Sequence, residues 1–116
     1  MLLRNAIIYT GGHLLTGPDV RFHNGRVQEI GYGLVNGLYE DPVDLQGDYL
    51  LPAMSSRPSR AEISQLLSKA AEQAAQCIPV ENALRNCGLN ASGIQPGTPG
   101  PLLRVPPEWM LKSLYR

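Results

Sequence analysis

The stretch DLQGDYLLPAMSSRPSR, residues 44–60, decides how this chain folds, because its periodicity changes along its length. It begins as a short apolar strand that ends at Pro52 and continues as a small, polar and basic segment without histidine. Ser59 and Glu62 then fit a capping box, in which each side chain satisfies a free backbone N–H at a helix start. The stretch therefore predicts strands before it and helices after it.

Upstream, the pattern is that of strands and tight turns. Residues 2–9 are apolar and β-branched, which predicts one strand that ends at the following glycine pair. We expect a loop at residues 32–42 and short strands at 43–45 and 48–51, separated by Gly47.

A hairpin is predicted in the middle of this region. Asn24-Gly25 suits a two-residue type I′ turn, since both central residues of that turn need positive φ. With the turn placed there, Phe22 faces Val27 across the strand pair, and both side chains can enter a core.

Two helices are predicted downstream. The first runs from Ser59 to Gln76, and Pro79 begins a second one that Gly88 ends. The apolar positions of the first helix recur at helical spacing: Ile63, Leu66, Leu67, Ala70, Ala71, Ala74 and Ala75. This stripe predicts one face that packs against a sheet.

The last quarter of the chain is predicted to contain turns, one strand and a short helix. Residues 88–101 are rich in Gly, Pro, Ser, Thr and Asn, and residues 102–105 read as a strand. Prolines around that strand confine it to a sheet edge or to a short pairing. Residues 107–116 are expected to form a short C-terminal helix.

These elements predict an α+β fold. Its centre is a small β-sandwich built from the N-terminal strands and the late strand, with two central helices and a short C-terminal helix. A chain of 116 residues is expected to form a single domain, 1–116, because it can bury only one modest core.

Composition argues against several kinds of partner. Ten basic residues offset ten acidic ones, so charge gives no reason to propose nucleic acid or a membrane surface. No stretch is long and apolar enough to span a membrane, and the first residues lack the order of a signal peptide. Cys77 and Cys87 are the only cysteines. We therefore expect a cytoplasmic protein with free thiols.

Several segments, taken in order, carry a resemblance to a known family. They are Leu2-Leu3-Arg4-Asn5-Ala6-Ile7-Ile8-Tyr9-Thr10, Asp19-Val20, Asn24-Gly25-Arg26-Val27-Gln28-Glu29-Ile30-Gly31 and Asp44-Leu45-Gln46-Gly47-Asp48-Tyr49-Leu50-Leu51-Pro52. They resemble the start of amidohydrolase-superfamily enzymes, such as dihydroorotases and hydantoinases. In that family this region forms half of a small sandwich, the composite domain. The family chain then enters a (β/α)₈ barrel through a metal-binding His-x-His pair.

The later segments 87–89, 93–97 and 102–105 are similar to the return of the family chain into its composite domain. A barrel takes about 250 residues, whereas only about forty separate Pro52 from Gly93. The resemblance thus implies a composite domain without its barrel. Residues 1–52 would supply the N-terminal strands, a helical insert at 59–88 would replace the barrel, and 93–105 would be the returning strand. We then expect residues 2–31 and 93–105 to share a sheet.

The metal site of the family does not carry over to this chain. Residues 53–57, at the place of His-x-His, read Ala-Met-Ser-Ser-Arg and offer no imidazole. The resemblance therefore implies no catalytic residue, no metal ligand and no cofactor here. Other candidate groups are His13, His23, Asp41, Asp44, Asp48, Ser55, Ser56, Cys77 and Cys87. Each fits an ordinary turn, loop or packing position better than a site.

We therefore expect a non-catalytic module that self-associates or docks a partner protein. The candidate contact residues are Trp109, Met110, Leu111, Leu114 and Tyr115, because Trp and Tyr are frequent interface anchors. Alternatively, this segment folds back onto its own sheet. A second reading of the function is a metal-dependent hydrolase of non-peptide carbon–nitrogen bonds, with its site completed by another subunit. A third is a remnant without a selected role.

Overall fold

The computed structural model describes residues 1–53, 58–87, 89 and 92–116. These residues form nine strands and two helices. The strands are β1 (Leu2–Arg4), β2 (Ile7–Thr10), β3 (His13–Thr16), β4 (Asp19–His23), β5 (Arg26–Gly31), β6 (Pro42–Asp44), β7 (Tyr49–Pro52), β8 (Leu102–Val105) and β9 (Ser113–Tyr115). The helices are α1 (Arg60–Ala75) and α2 (Val80–Asn86). The predicted α+β class is confirmed.

The strands form two sheets. One has four strands in the order β5-β4-β1-β6, and the other has five in the order β3-β2-β7-β8-β9. Residues of the N-terminal half, in β2 and β3, thus share a sheet with the late strand β8. The prediction that residues 2–31 and 93–105 share a sheet is confirmed.

The chain passes from the first sheet to the second at two equivalent places. Asn5 has φ +59° and separates β1 from β2, while Gln46 and Gly47 have positive φ and separate β6 from β7. The Asn5 side chain donates a hydrogen bond to Asp44 (3.0 Å), which ties the two crossings together. The prediction of one strand over residues 2–9 is wrong, because the left-handed Asn5 ends one strand and redirects the chain into the other sheet.

The predicted hairpin is confirmed. β4 and β5 pair antiparallel, Phe22 lies opposite Val27, and both side chains are buried. Asn24 and Gly25 have φ +52° and +73°, as a type I′ turn requires.

Two hydrophobic clusters divide the molecule into three layers. The sandwich core lies between the sheets and includes Leu3, Ile8, Phe22, Leu50 and Leu102. The second core lies between the five-stranded sheet and the helices; it includes Tyr9, Leu51, Leu66, Leu84, Leu103 and Val105. Successive residues of β7 and β8 point into alternate cores, so the middle of this sheet is buried on both faces.

The first helix begins where the capping box predicted. The Ser59 hydroxyl accepts a hydrogen bond from the backbone N–H of Glu62 (3.1 Å). The stripe is buried at Ile63, Leu66, Leu67 and Ala70, which pack against the sheet. The helix ends at Ala75 and α2 begins at Val80, within a residue or two of the predicted bounds.

The predicted C-terminal helix is wrong, because residues 113–115 form strand β9. It pairs antiparallel with β8, and Leu103 lies opposite Leu114. β8 therefore lies inside the sheet and not at the expected edge, although its pairing is short. Its flanking prolines fall outside Leu102–Val105, so they remove no ladder hydrogen bond. An open edge of β8 offers backbone partners that a short exposed helix would not have.

Candidate functional site

The five predicted contact residues lie in the C-terminal segment that follows β8. The side chains of Trp109, Leu111 and Leu114 are half-buried against the second core, and Tyr115 packs against the sandwich core. Met110 is 71% exposed. The segment thus folds back onto its own sheet through four residues and presents the fifth to solvent.

An aromatic pair fixes the path of this segment. The indole of Trp109 stacks on Tyr49, with ring centroids 5.1 Å apart and an angle of 12° between the planes. The Trp109 backbone has φ +62°, an unusual value for a bulky residue. The stacking holds the chain in this turn and places Met110 outward.

A cleft separates the segment from the first helix; we call it the docking cleft. It encloses about 610 Å³ and is lined by Arg60, Ile63, Ser64, Leu67, Ser68, Trp109, Met110, Leu111, Lys112, Ser113 and Leu114. Its floor is apolar, since Ile63 and Leu67 are buried, whereas its rim carries serines and two basic side chains. This combination suits an apolar side chain flanked by an acidic or hydrogen-bonding group.

A buried ion pair lies beside the C-terminal segment. The Arg104 guanidinium donates to Asp48 (2.8 Å), and both side chains are 10% exposed. Burial alone would lower the pKa of Arg104, but hydrogen bonds to Asp48 and Tyr115 raise it overall. The Lys112 backbone donates to the Arg104 carbonyl (2.9 Å), so the pair and the rim of the cleft are joined through β8.

The histidines and aspartates that the sequence offers are not gathered into one site. His13 begins β3 and lies 3.5 Å from Glu81, while His23 ends β4 and is exposed. Asp44 accepts from Asn5, whereas Asp48 pairs with Arg104.

Within residues 1–53, 58–87, 89 and 92–116, no three His, Cys, Asp or Glu side chains are grouped so that they could hold a metal ion. Ser55 and Ser56 lie outside the described residues. Cys77 is exposed; Cys87 is half-buried, and burial raises the pKa of its thiol. No helix among the described residues is long and apolar enough to cross a membrane.

The sequence reading overlooked a surface on the loop between β5 and β6. Four of its side chains are exposed, at 69% for Tyr32, 82% for Val35, 89% for Leu38 and 96% for Tyr39. We call these four residues the apolar loop patch. The sequence contains a signal for this surface, because apolar and aromatic residues alternate with Gly33 and Gly37 there. The segment was predicted only as a loop.

The loop that carries this patch is tied to the outer face of the four-stranded sheet. Arg21 donates to Glu40 (2.9 Å) and to the Val35 carbonyl (2.6 Å). Arg4 donates to the Leu34 carbonyl (2.8 Å), and the Leu34 N–H donates to Asp19 (2.9 Å). The hydrogen bond from Arg21 is the main cause that lowers the pKa of Glu40, so the carboxylate form is favoured.

No model of a protein family matches the chain, and no curated protein matches it. Among solved structures, the chain is similar to an amidohydrolase, with 16% identity and a TM-score of 0.42 over 74% of this chain and 20% of that one. It is also similar to the D-hydantoinase from a Bacillus sp. AR9, with 20% identity and a TM-score of 0.38 over 60% of this chain and 18% of that one. The chain spans about a fifth of the length of either of these proteins.

Proposed function

We propose that this chain is a composite domain of the amidohydrolase type that has no barrel and acts as a small assembly module without catalysis. In this proposal the chain is one domain, residues 59–88 stand in place of the barrel and residues 93–105 return to the sheet. The module docks other protein chains through the docking cleft, in a cytoplasmic setting.

The observation that carries the proposal is the covering of the five-stranded sheet. Its face away from the sandwich core packs on Ile63, Leu66 and Leu84 of the helices and on Trp109 and Leu111 of the C-terminal segment. The helices and the C-terminal segment leave the docking cleft between them, with an apolar floor and with Met110 exposed at its rim. Exposed apolar surface next to a concave, partly polar rim is typical of protein contact sites.

The absence of catalysis in the proposal rests on the sequence. The amidohydrolase reaction needs a metal-activated water held by several histidines and a carboxylate. Residues 53–57 supply no imidazole at the family position, and the whole chain has two histidines, His13 and His23. Those two lie on different sheets, in β3 and β4.

The test is the native mass of the tagged full chain in a lysate of its host, measured by size-exclusion chromatography. We expect an assembly well above the 12.6 kDa of one chain. Met110→Glu places a charge at the rim of the cleft and is expected to lower the mass of that assembly. Gln65→Glu adds the same charge at an exposed position of α1 outside the cleft, and should leave the mass unchanged.

Two results would contradict the proposal. A chain that elutes from the lysate at the mass of a monomer has no assembly role under those conditions. One equivalent of bound zinc per chain would instead favour the metal-dependent hydrolase of non-peptide carbon–nitrogen bonds, with a site completed by another subunit.

A further inference from the structure

We infer that the apolar loop patch is a contact between two copies of this chain, related by a two-fold axis. The inference goes beyond the proposed docking role and adds a second surface, on the opposite side of the sandwich from the docking cleft. It follows from three properties of the patch, which are its size, its rigidity and the hollow beside it.

The size of the patch suits a protein contact. At these exposed fractions, the two tyrosine and two aliphatic side chains present roughly 350–600 Å² of apolar surface to solvent. The largest apolar patch on a typical monomer is about 300–600 Å² and is often functional. A standard interface takes about 800 Å² from each partner. The patch alone therefore supplies roughly 45–75% of one side of such an interface, and a dimer needs the remainder from the residues around it.

The loop that carries the patch is restrained by hydrogen bonds at both ends. Arg21 ties the loop at the Val35 carbonyl and at Glu40, while Glu40 also accepts from the Gly37 N–H (2.9 Å). At the other end, Leu34 is held through both its carbonyl and its N–H. Since these hydrogen bonds restrain the loop backbone, less conformational entropy is lost when the patch is covered.

A second copy is the occupant that the geometry favours. Beside Tyr39 lies a hollow of about 470 Å³, lined by Met1, Arg21, His23, Gln28, Gly37, Tyr39 and Glu40. One surface thus carries both projecting side chains and a recess, which is the self-complementarity that a two-fold contact needs. Charges of both signs, Arg21 and Glu40, line the recess, so two facing copies can avoid like-charge contacts. The net charge of zero adds no repulsion.

The test uses the purified full chain in size-exclusion chromatography with light scattering, over a wide range of protein concentration. We expect a concentration-dependent species at twice the 12.6 kDa of one chain. Leu38→Glu and Tyr39→Glu are each expected to raise the dimer dissociation constant about tenfold or more. Gln65→Glu, on the other side of the molecule, should leave it unchanged. The variants should fold, because both positions are almost fully exposed.

Hydrogen exchange of the unmodified chain provides a second readout. Amides of residues 32–40 should exchange more slowly at concentrations where the dimer forms than after dilution. A purified chain that stays monomeric overturns the inference, and so does a dimer that Leu38→Glu and Tyr39→Glu leave intact. In either case a lysate assembly that Met110→Glu reduces would still support the proposed function. Alternatively, the lysate contains no species larger than the dimer of the purified chain, with a mass that Met110→Glu leaves unchanged. In that case the proposed docking function fails, whereas this inference stands.

Discussion

At the scale of single residues, Gly93 determines how the late part of the chain meets the early part. Its backbone has φ +58° and forms a bridge with Thr10 of β2. A Cβ at this position would collide with the Tyr9 carbonyl and lie 2.8 Å from Thr10 Cα. The next residue, Ile94, donates to the Tyr9 carbonyl (2.8 Å) and is buried in the sandwich core. Only glycine allows the two backbones to approach this closely.

Gly93→Ala is therefore expected to destabilise the chain by about 2–5 kcal/mol, since left-handed strain and overpacking add. Gly97→Ala is the matched control, because Gly97 also has positive φ but has open space at its Cβ. Its cost should be limited to about 1–2 kcal/mol for the conformation alone. Urea unfolding of the natural chain and of the two variants measures both changes in the free energy of unfolding. Equal losses of stability in the two variants would contradict the close packing of Gly93.

The lowered pKa of Glu40 is expected to make the stability of the chain depend on pH. Its folded pKa lies below the ordinary value of 4.5, first because Arg21 donates to it and then because the Gly37 N–H does. Its contribution to stability is therefore complete above that ordinary value and is lost as pH falls through the lowered folded pKa. Urea unfolding over the acid range should show this loss in the natural chain.

Glu40→Gln is expected to remove that part of the pH dependence, because an amide does not titrate. Glu108→Gln, an exposed position remote from the loop in the sequence, serves as the control and should keep the pH profile of the natural chain. If Glu40→Gln and the natural chain lose stability in parallel on acidification, the contact with Arg21 does not anchor the loop in solution.

At the scale of elements, the C-terminal segment differs most from its prediction. Prolines followed by Glu108 and apolar residues indicated a helix, but local signals carry no information about an open sheet edge nearby. β9 supplies backbone partners to β8 and places Leu114 and Tyr115 on opposite faces of the sheet. The strand thus adds to both cores at once, which a short helix on the surface could not do.

A pair of substitutions tests this strand. Leu114→Ala removes a half-buried side chain that packs against the second core, and is expected to cost about 1–3 kcal/mol. Met110→Ala lies in the same segment but is largely exposed, so its cost should stay within about 0.5 kcal/mol. Thermal or urea unfolding gives the loss of stability in each variant. Similar small losses in both would mean that Leu114 does not pack against the second core.

At the scale of the whole molecule, the five-stranded sheet connects everything else. It faces the sandwich core on one side and the helical layer on the other, through alternate residues of β7 and β8. The return segment also reaches the four-stranded sheet, where the Val27 N–H donates to the Thr98 carbonyl (2.8 Å). Neither core can be exposed without loss of strands that the other core needs.

We therefore expect one cooperative unfolding transition for all three layers. Trp109 is the only tryptophan and reports on the second core through its stack on Tyr49. Its fluorescence and the far-ultraviolet circular dichroism of the helices should give the same urea midpoint. An earlier loss of helical signal would show that α1 and α2 form a separate unit that is not essential to the sandwich.

The sequence by itself determined the local elements and the class. The Ser59 half of the capping box, the Asn24-Gly25 turn and the apolar stripe as far as Ala70 predict structure from neighbours in the chain, and each is found where expected. The far end of the stripe is not buried, since Ala75 is exposed. These signals are local because they depend on φ preferences, on capping hydrogen bonds and on the helical period. The order of the family-like segments also placed the late strand in the sheet of the early ones.

Only the tertiary structure decided the division of residues 2–9 between two sheets, the strand at 113–115 and the ordered apolar patch at 32–39. Each depends on partners far away in sequence. Asn5 is tied to Asp44, β9 follows the open edge of β8, and the loop is held by Arg4 and Arg21. Such contacts are selected by burial and by pairing of backbone groups across the fold, which no local window of sequence contains.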